Sequence, residues 1–441
     1  MRVLLVATYE MGRQPFGLGS PAAWLAARGY EVSCVDLAVD RPSAAVMRSA
    51  NLIAFYLPMH TAARLACRAI EKIRKTNPAA HLCCYGLYAP LNEAYLRKLG
   101  IHTILGGEFE AGLTALADRI AAGNGGSEAP LISLEKLQFV TPARAGLAPL
   151  SKYAHLASAG VSKIAGYTEA SRGCKHLCRH CPVVPVYQGN FRVVQADVVL
   201  EDIRGQVAAR AQHITFGDPD FFNGPTHAMR VVEAMHAEFP ELTYDATIKI
   251  EHLRKHRDLV PRLKETGCLF VTSAVESIED DVLLKLQKGH TCEDFVAVVR
   301  DFRQRGLVLA PTFIPFMPWT TRESYRRLLE VLLDLELVDH VAPIQLALRL
   351  LIPNGSRLLE LPDVQAVVTG FDEPALLYRW KHPDPAMDSM AARAMKLAAL
   401  GGSRRETFEK LWELAGDQPL PENFDLIPRA AIPYMDEPWY C

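Results

Sequence analysis

Ser171-Arg172-Gly173-Cys174-Lys175-His176-Leu177-Cys178-Arg179-His180-Cys181-Pro182 places three thiols within eight residues, at spacing C-x3-C-x2-C. Thiolates this close on one loop can converge on a single centre. Zinc would want a fourth protein donor to close a tetrahedral structural site, and His176 or His180 could supply it. An iron–sulfur cluster normally takes four thiolates, so three leave one iron open to a ligand that is not protein. Position separates the two readings. The loop follows a short strand-like run, Ile164–Tyr167, and more strand signals follow at His213–Phe216, Leu242–Thr247, Leu269–Ala274, Val308–Phe313 and Ile344–Arg349. Helical segments intervene at Val198–Ala211, Pro225–Glu238, Asp280–Gln287 and Thr291–Arg305. Six such units describe a complete or partial (β/α) barrel, whose chemistry gathers at the C-terminal strand ends. A loop directly after the first strand lies on that rim.

Upstream, residues 1–120 alternate strand and helix signals of their own. Val3–Ala7, Glu31–Val35, Leu52–Tyr56, His81–Tyr85 and Thr103–Leu105 have strand character, while Ala22–Arg28 and Ala62–Thr76 have helical spacing. The stretch from Gly12 to Pro21 has loop composition. Alternation of this kind implies parallel βαβ units and a doubly wound sheet. Residues 121–160, rich in Gly, Pro, Ser and Asn, are expected to be a linker. The barrel then runs over 161–353. Residues 354–441 form a helical, Pro-punctuated C-terminal extension ending in Pro438-Trp439-Tyr440-Cys441.

The chain has 441 residues, 48 Lys+Arg against 50 Asp+Glu, a formal charge of −2 and 49% hydrophobic content. That balance argues against a binder that works by neutralising nucleic-acid phosphates, and against disorder. The N-terminal apolar run is too short for a signal peptide and fits a first strand. No run of 18 uncharged apolar residues suits a membrane span. Ten cysteines are too few for a disulfide scaffold, and three of them cluster. In a chain without an export signal, that pattern points to a metal or redox centre and a cytoplasmic protein.

The C-x3-C-x2-C loop after strand one of a partial barrel resembles that of radical S-adenosylmethionine (SAM) enzymes. The resemblance implies a [4Fe–4S] cluster on Cys174, Cys178 and Cys181, with the amino and carboxylate groups of SAM on the fourth iron. The position before the third cysteine is usually aromatic in that family; here it is His180, which would stack on adenine. Gly217-Asp218 ends the second strand, where the family holds the SAM ammonium, and Asp218 is the candidate. Ser273 and Glu276 end the fourth strand, with Glu276 placed for the ribose or methionyl part of SAM. Arg349 could pair with the SAM carboxylate or form a structural salt bridge. Thr247 and Lys249 are expected to face inward. An electron donor such as flavodoxin or ferredoxin, and a small-molecule or inorganic substrate, are the implied partners; nucleic acid and membrane are not expected.

The first domain resembles the cobalamin-binding-like domain that precedes many radical SAM cores. The cobalt-ligating pattern Asp-x-His-x-x-Gly is absent, since His60, His81 and His102 lack that context. Cobalamin is therefore not expected, and a degenerate Rossmann-like cover over the active site is favoured. Over its whole length the chain resembles the CUAEP/CCAEP-tail radical SAM proteins, whose chains end Cys-Cys-Ala-Glu-Pro or Cys-selenocysteine-Ala-Glu-Pro. Cys441 matches the first residue of that ending, which suggests a selenocysteine codon read as a stop. The resemblance implies a catalytic role for Cys441 as a soft ligand. It also implies transfer of the 3-amino-3-carboxypropyl group of SAM to arsenite, towards arsinothricin. Methylation or hydrogen abstraction on a small metabolite is the alternative. A non-catalytic zinc module and an RNA-directed methylthiotransferase are rivals of other classes.

Overall fold

The computed structural model describes residues 1–124, 130–158, 160–421, 424 and 429–436. The N-terminal sheet contains β1 (Arg2–Ala7), β2 (Glu31–Asp36), β3 (Leu52–Tyr56), β4 (His81–Tyr85), β5 (Thr103–Gly107) and the short β6 (Ile132–Ser133). Its order is β2-β1-β3-β4-β5-β6, parallel throughout. The strand order reverses between β1 and β3, the place where ligands enter open sheets of this kind. Both faces are apolar. Leu4, Val6, Ile53 and Phe55 pack on one side, and Val3, Leu5, Leu52 and Ala54 on the other. A parallel sheet covered by helices on both faces reads as a continuous hydrophobic run for this reason.

The first helix, Phe16–Ala27, begins inside the stretch expected to be a loop and carries Pro21 within it. A proline in a helix frees the carbonyl four residues back. Here that carbonyl, on Gly17, accepts a hydrogen bond from the Tyr85 hydroxyl at 2.7 Å. A tertiary contact thus satisfies what the local sequence leaves open. The next long helix, His60–Thr76, follows the expected spacing.

The second sheet holds β7 (His155–Ser158), β8 (Val161–Thr168), β11 (His213–Phe216), β12 (Thr243–Thr247), β13 (Cys268–Glu276), β14 (Val308–Phe313) and β17 (Tyr434–Met435). Its order is β14-β13-β12-β11-β8-β7-β17. The five strands from β8 to β14 are parallel, and the other two add an antiparallel edge. A small hairpin of β9 (Ser171–Gly173) and β10 (Phe191–Val193) brackets the cysteine loop. Where Ile344–Arg349 was expected to form a sixth strand, the chain makes a 3-10 turn at Pro343–Leu346 and one parallel bridge, Phe316 to Arg349. The Gln345 side-chain oxygen accepts the Phe313 N–H at 3.2 Å, a donor that a full neighbouring strand would use.

The two faces of this curled sheet differ. Ile214, Phe216, Tyr244, Ala246, Val271, Val275, Leu309 and Phe313 belong to the main core with the surrounding helices. The alternate residues, His213, Thr215, Asp245, Thr247, Thr272 and Thr312, therefore face the barrel interior. The C-terminal extension is helical at Pro385–Ala399 and Arg404–Ala415 and also contains a hairpin, β15 (Val368–Asp372) with β16 (Leu377–Trp380). The hairpin tip reaches the first domain, where Ala375 O meets His60 Nε2 at 2.7 Å. Among the described residues, no helix is long and apolar enough to cross a membrane.

Candidate active site

The cysteine loop leaves β8 through a turn held by Asp218. Its carboxylate accepts the Ala170 N–H at 2.9 Å and the Ser171 hydroxyl at 2.5 Å. Burial pushes this carboxyl up to about 7 against those hydrogen bonds. Asp218 therefore anchors the entry to the loop. Gly217 is required for packing, because a Cβ there would lie 1.9 Å from the Tyr167 hydroxyl. Gly173, at φ +71°, opens the loop itself; a Cβ would fall 2.4 Å from the Tyr187 ring and 2.5 Å from Asn190 O. Only glycine adopts this conformation in that space without strain.

Cys174 and Cys178 are buried, and Cys181 is partly so. Burial raises the Cys174 thiol and pushes Cys181 up to about 12. Thiols in such a place ionise when a cation binds them. Cys174 Sγ lies 3.7 Å from Asn223 Oδ1, which also accepts the Lys175 N–H at 3.3 Å. Among the described residues, the set of donors drawn within 4.8 Å of one another is not this trio but His176, Asp220 and His252.

Glu276 closes the site from β13. It sits at φ +71° beside a register shift between Ala274 and Glu276, an uncommon conformation for a non-glycine residue. Its Oε1 meets His180 Nε2 at 3.0 Å and Lys288 Nζ at 3.3 Å. Burial alone would raise this carboxyl, but Lys288 and His180 outweigh it and hold it down at about 2. Burial disfavours the Lys288 ammonium, yet Glu276 and the thiols of Cys178 and Cys181 raise its pKa overall. His180 is therefore engaged edge-on by a carboxylate, next to the third cysteine. A small cleft, about 30 Å³ in volume, runs from Glu276 and Ser277 to Ile314, Met317, Trp319 and Tyr325.

The remaining expected residues divide. Lys249 is buried and pairs with Glu251 at 3.0 Å. Ser273 alternates with Val271 and Val275, so it faces the helix layer and not the interior, and its buried hydroxyl has no partner. The expectation that it lines the SAM site is corrected on that ground. Arg349 Nη1 binds Asp388 at 2.6 Å, Nη2 donates to Trp380 O at 2.9 Å, and the guanidinium lies 3.7 Å from the Trp380 ring centroid. The expectation that it pairs with SAM gives way to its structural alternative, since this fork ties the barrel to the C-terminal extension. Cys441 lies outside the described residues. Sequence reasoning did not single out Lys288, Asn223, Asp220 or His252; Lys288-Gly289-His290 follows a helix with no motif to mark it, and only the fold brings it to the cysteines.

The first domain presents its strand ends to this loop. Leu57 and Tyr88 share a core with Cys174, Val183 and Tyr187, and Cys181 packs against it. Beside them, Arg172 is buried and bound by Glu110 at 2.7 and 2.9 Å, Glu169 at 2.7 Å and Glu108 at 3.3 Å. On the loop after β1, Glu10 Oε2 and Arg13 Nε are buried without partners, and Arg13 lies over the Tyr167 ring at 5.4 Å.

A cysteine loop on the rim of a curled parallel sheet is the arrangement of a radical SAM domain, and residues 168–332 match the family description "Radical SAM superfamily". The chain is 25% identical over 149 residues to bacteriochlorophyllide d C-12(1)-methyltransferase of Chlorobaculum tepidum, covering 33% of this chain and 32% of that protein. It is 26% identical over 212 residues to ribosomal protein uS12 methylthiotransferase RimO of Herpetosiphon aurantiacus, covering 45% and 43%. The chain thus spans less than half the length of these relatives. Among solved structures, it shares its fold with the radical SAM methyltransferase TsrM of Kitasatospora setae, with cobalamin and a [4Fe–4S] cluster bound (TM-score 0.58, 19% identity, 76% of this chain and 70% of that one). It also shares it with the cobalamin-dependent SAM radical enzyme OxsB with aqua-cobalamin bound (TM-score 0.69, 14% identity, 89% and 66%). These structures overturn the expectation against cobalamin. The absence of one histidine pattern does not decide against that cofactor in a fold two of whose solved examples hold it.

Proposed function

We propose that this protein cleaves SAM reductively and transfers a methyl group to a small-molecule substrate. The observation that carries the proposal is the trio Cys174, Cys178 and Cys181, two buried and the third partly so, on the rim of a half-barrel with a polar interior, with Glu276 bonded to His180 and Lys288 beside it. The cluster, when bound, would supply the electron that splits one SAM into methionine and a 5′-deoxyadenosyl radical, replenished by a donor such as flavodoxin or ferredoxin, while the methyl group would come from a second SAM that leaves as S-adenosylhomocysteine. Lys288 offsets negative charge beside Cys178 and Cys181. Glu276, held ionised, presents a carboxylate to the hydroxyl or ammonium donors of SAM at the mouth of the cleft. Methyl transfer is favoured by relatives described as methyltransferases.

Cobalamin, when bound, supplies a carrier for the methyl group. Its corrin ring is rich in amide side arms, and Glu10 and Arg13 on the loop after β1, whose Oε2 and Nε lack hydrogen-bond partners, are groups that would hold them. The finer reading, aminocarboxypropyl transfer to a soft acceptor such as arsenite, rests on the tail and Cys441, outside the described residues.

Anaerobic reconstitution followed by mass spectrometry of SAM products tests the proposal. About four irons per chain, cobalt retained after exposure to hydroxocobalamin, 5′-deoxyadenosine with methionine from the reductively cleaved SAM, and S-adenosylhomocysteine from the methyl donor are expected. 5′-Methylthioadenosine as the main product would replace methyl transfer by aminocarboxypropyl transfer. A colourless protein with one zinc on the cysteines would refute both.

A further inference from the structure

Three successive strand ends of the barrel each bring one donor to a common point beside the cysteine loop. His176 comes from the loop after β8, Asp220 from the turn after β11, and His252 from the helix Ile250–Lys255 that follows β12. His176 Nε2 and His252 Nε2 are 3.1 Å apart, and Asp220 Oδ2 is 3.8 Å from His176 Nε2. Asp220 Oδ2 lies 2.6 Å from His252 Nδ1, yet the two are not aligned for a hydrogen bond and neither atom has another partner. Asp220 and His252 are 0% and 1% exposed.

Buried polar atoms without partners are costly, and a native site that keeps two side by side calls for an explanation. A proton shared by the two Nε2 atoms satisfies that pair alone and leaves Asp220 Oδ2 and His252 Nδ1 unpaired. One donor atom from each of the three residues lies within 4.8 Å of the others, a span that a single divalent cation could bridge. Glu251 Oε2, 3.4 Å from His176 Nδ1, is placed to orient that ring as carboxylates orient metal-bound histidines.

We infer that His176, Asp220 and His252 form a mononuclear site for a divalent transition-metal ion, separate from the cluster formed by the cysteines of the same loop. Two nitrogens and one carboxylate suit zinc or another borderline ion. Three protein donors leave at least one position open, as in catalytic sites, for water or for an anionic oxygen of the substrate. The site does not depend on which group is transferred from SAM.

The test uses the holoprotein with its cluster in place, exposed to one equivalent of Zn²⁺, desalted and measured for zinc and iron together. One zinc per chain in addition to about four irons is expected. His252→Ala and the nearly isosteric Asp220→Asn are each expected to lower zinc affinity at least about 100-fold, more than loss of an outer partner usually does, with iron unchanged. X-ray absorption at the zinc edge is the second measurement, free of any folding defect in the variants. It should show nitrogen and oxygen near 2.0–2.1 Å and no sulfur near 2.3 Å. Wild-type protein without zinc, zinc retained in both variants, or zinc bound through sulfur would each overturn the inference. Failure of the cluster proposal would show instead as missing iron, a separate reading in the same experiment.

Discussion

The two parallel sheets of this chain are built from the same kind of unit and use it differently. In the N-terminal sheet, neighbouring residues of β3 point to opposite faces and both faces are apolar, with Leu52, Ile53, Ala54 and Phe55 all fully buried. In the barrel sheet one face packs on helices, while the other carries His213, Thr215, Asp245, Thr247, Thr272 and Thr312. The interior polar groups nearest the sheet's base satisfy each other, as when His213 Nε2 and the Thr215 hydroxyl both meet Asp245 Oδ1, at 2.9 and 2.6 Å. Towards the rim they do not, and Asp220, His252 and His290 keep buried atoms without partners. Polar satisfaction therefore runs out where a ligand is to be held.

This contrast predicts that activity and stability separate between the sheets. Cys178→Ala should abolish cluster assembly and all reductive SAM cleavage while leaving the thermal transition close to that of the cluster-free parent. Iron analysis and product detection check it, and retained cleavage would defeat the mechanism. In the other sheet, Phe55→Ala should cost about 3–5 kcal/mol of stability, the usual range for a buried aromatic, measured by denaturant unfolding. At the seam between the domains, Arg172→Ala would leave the buried Glu108 and Glu110 and the partly buried Glu169 without their cation, at a comparable cost of about 3–5 kcal/mol. An unfolding midpoint unchanged by that substitution would mean the three carboxylates are not held together by Arg172.

Smaller effects sharpen the comparison further. Glu276→Gln removes charge-assisted bonds to His180 and Lys288, worth about 1.5–3 kcal/mol each in general, so SAM cleavage should fall about tenfold or more with iron content retained. Loss of iron in that variant would instead make Glu276 a support of the cysteine loop. Ser273→Ala should do least. It deletes a buried, unpartnered hydroxyl on the helix side of β13, so stability should be unchanged or slightly raised and SAM affinity unaltered. A rise in KM for SAM would show that the hydroxyl reaches the interior after all.

Much of this layout was legible in the chain. His213–Phe216 and Val308–Phe313 have the bounds the sequence suggests, because each is a short run flanked by turn residues, the first buried throughout and the second on alternate positions. The first helix was not legible at its start, since Pro21 breaks the local pattern and only the Tyr85 hydroxyl compensates. Nor was the end of the barrel, where Gln345 takes a strand's place with a single side chain. Among site residues, the cysteines declare themselves by spacing. Asp218 and Arg349 also drew notice as charged residues near strand ends, but their partners, Ser171 and Asp388, are distant in sequence and turn them to structural tasks.

The sequence by itself determined two βα arrays and one three-thiol loop at the head of the second, because hydrophobic period and cysteine spacing are local properties. The tertiary structure alone decided which charges face each other: Lys288 against Glu276, Arg172 among three carboxylates, His176 beside Asp220 and His252. Such pairings depend on strand order and on which face each residue takes, and no local pattern encodes either.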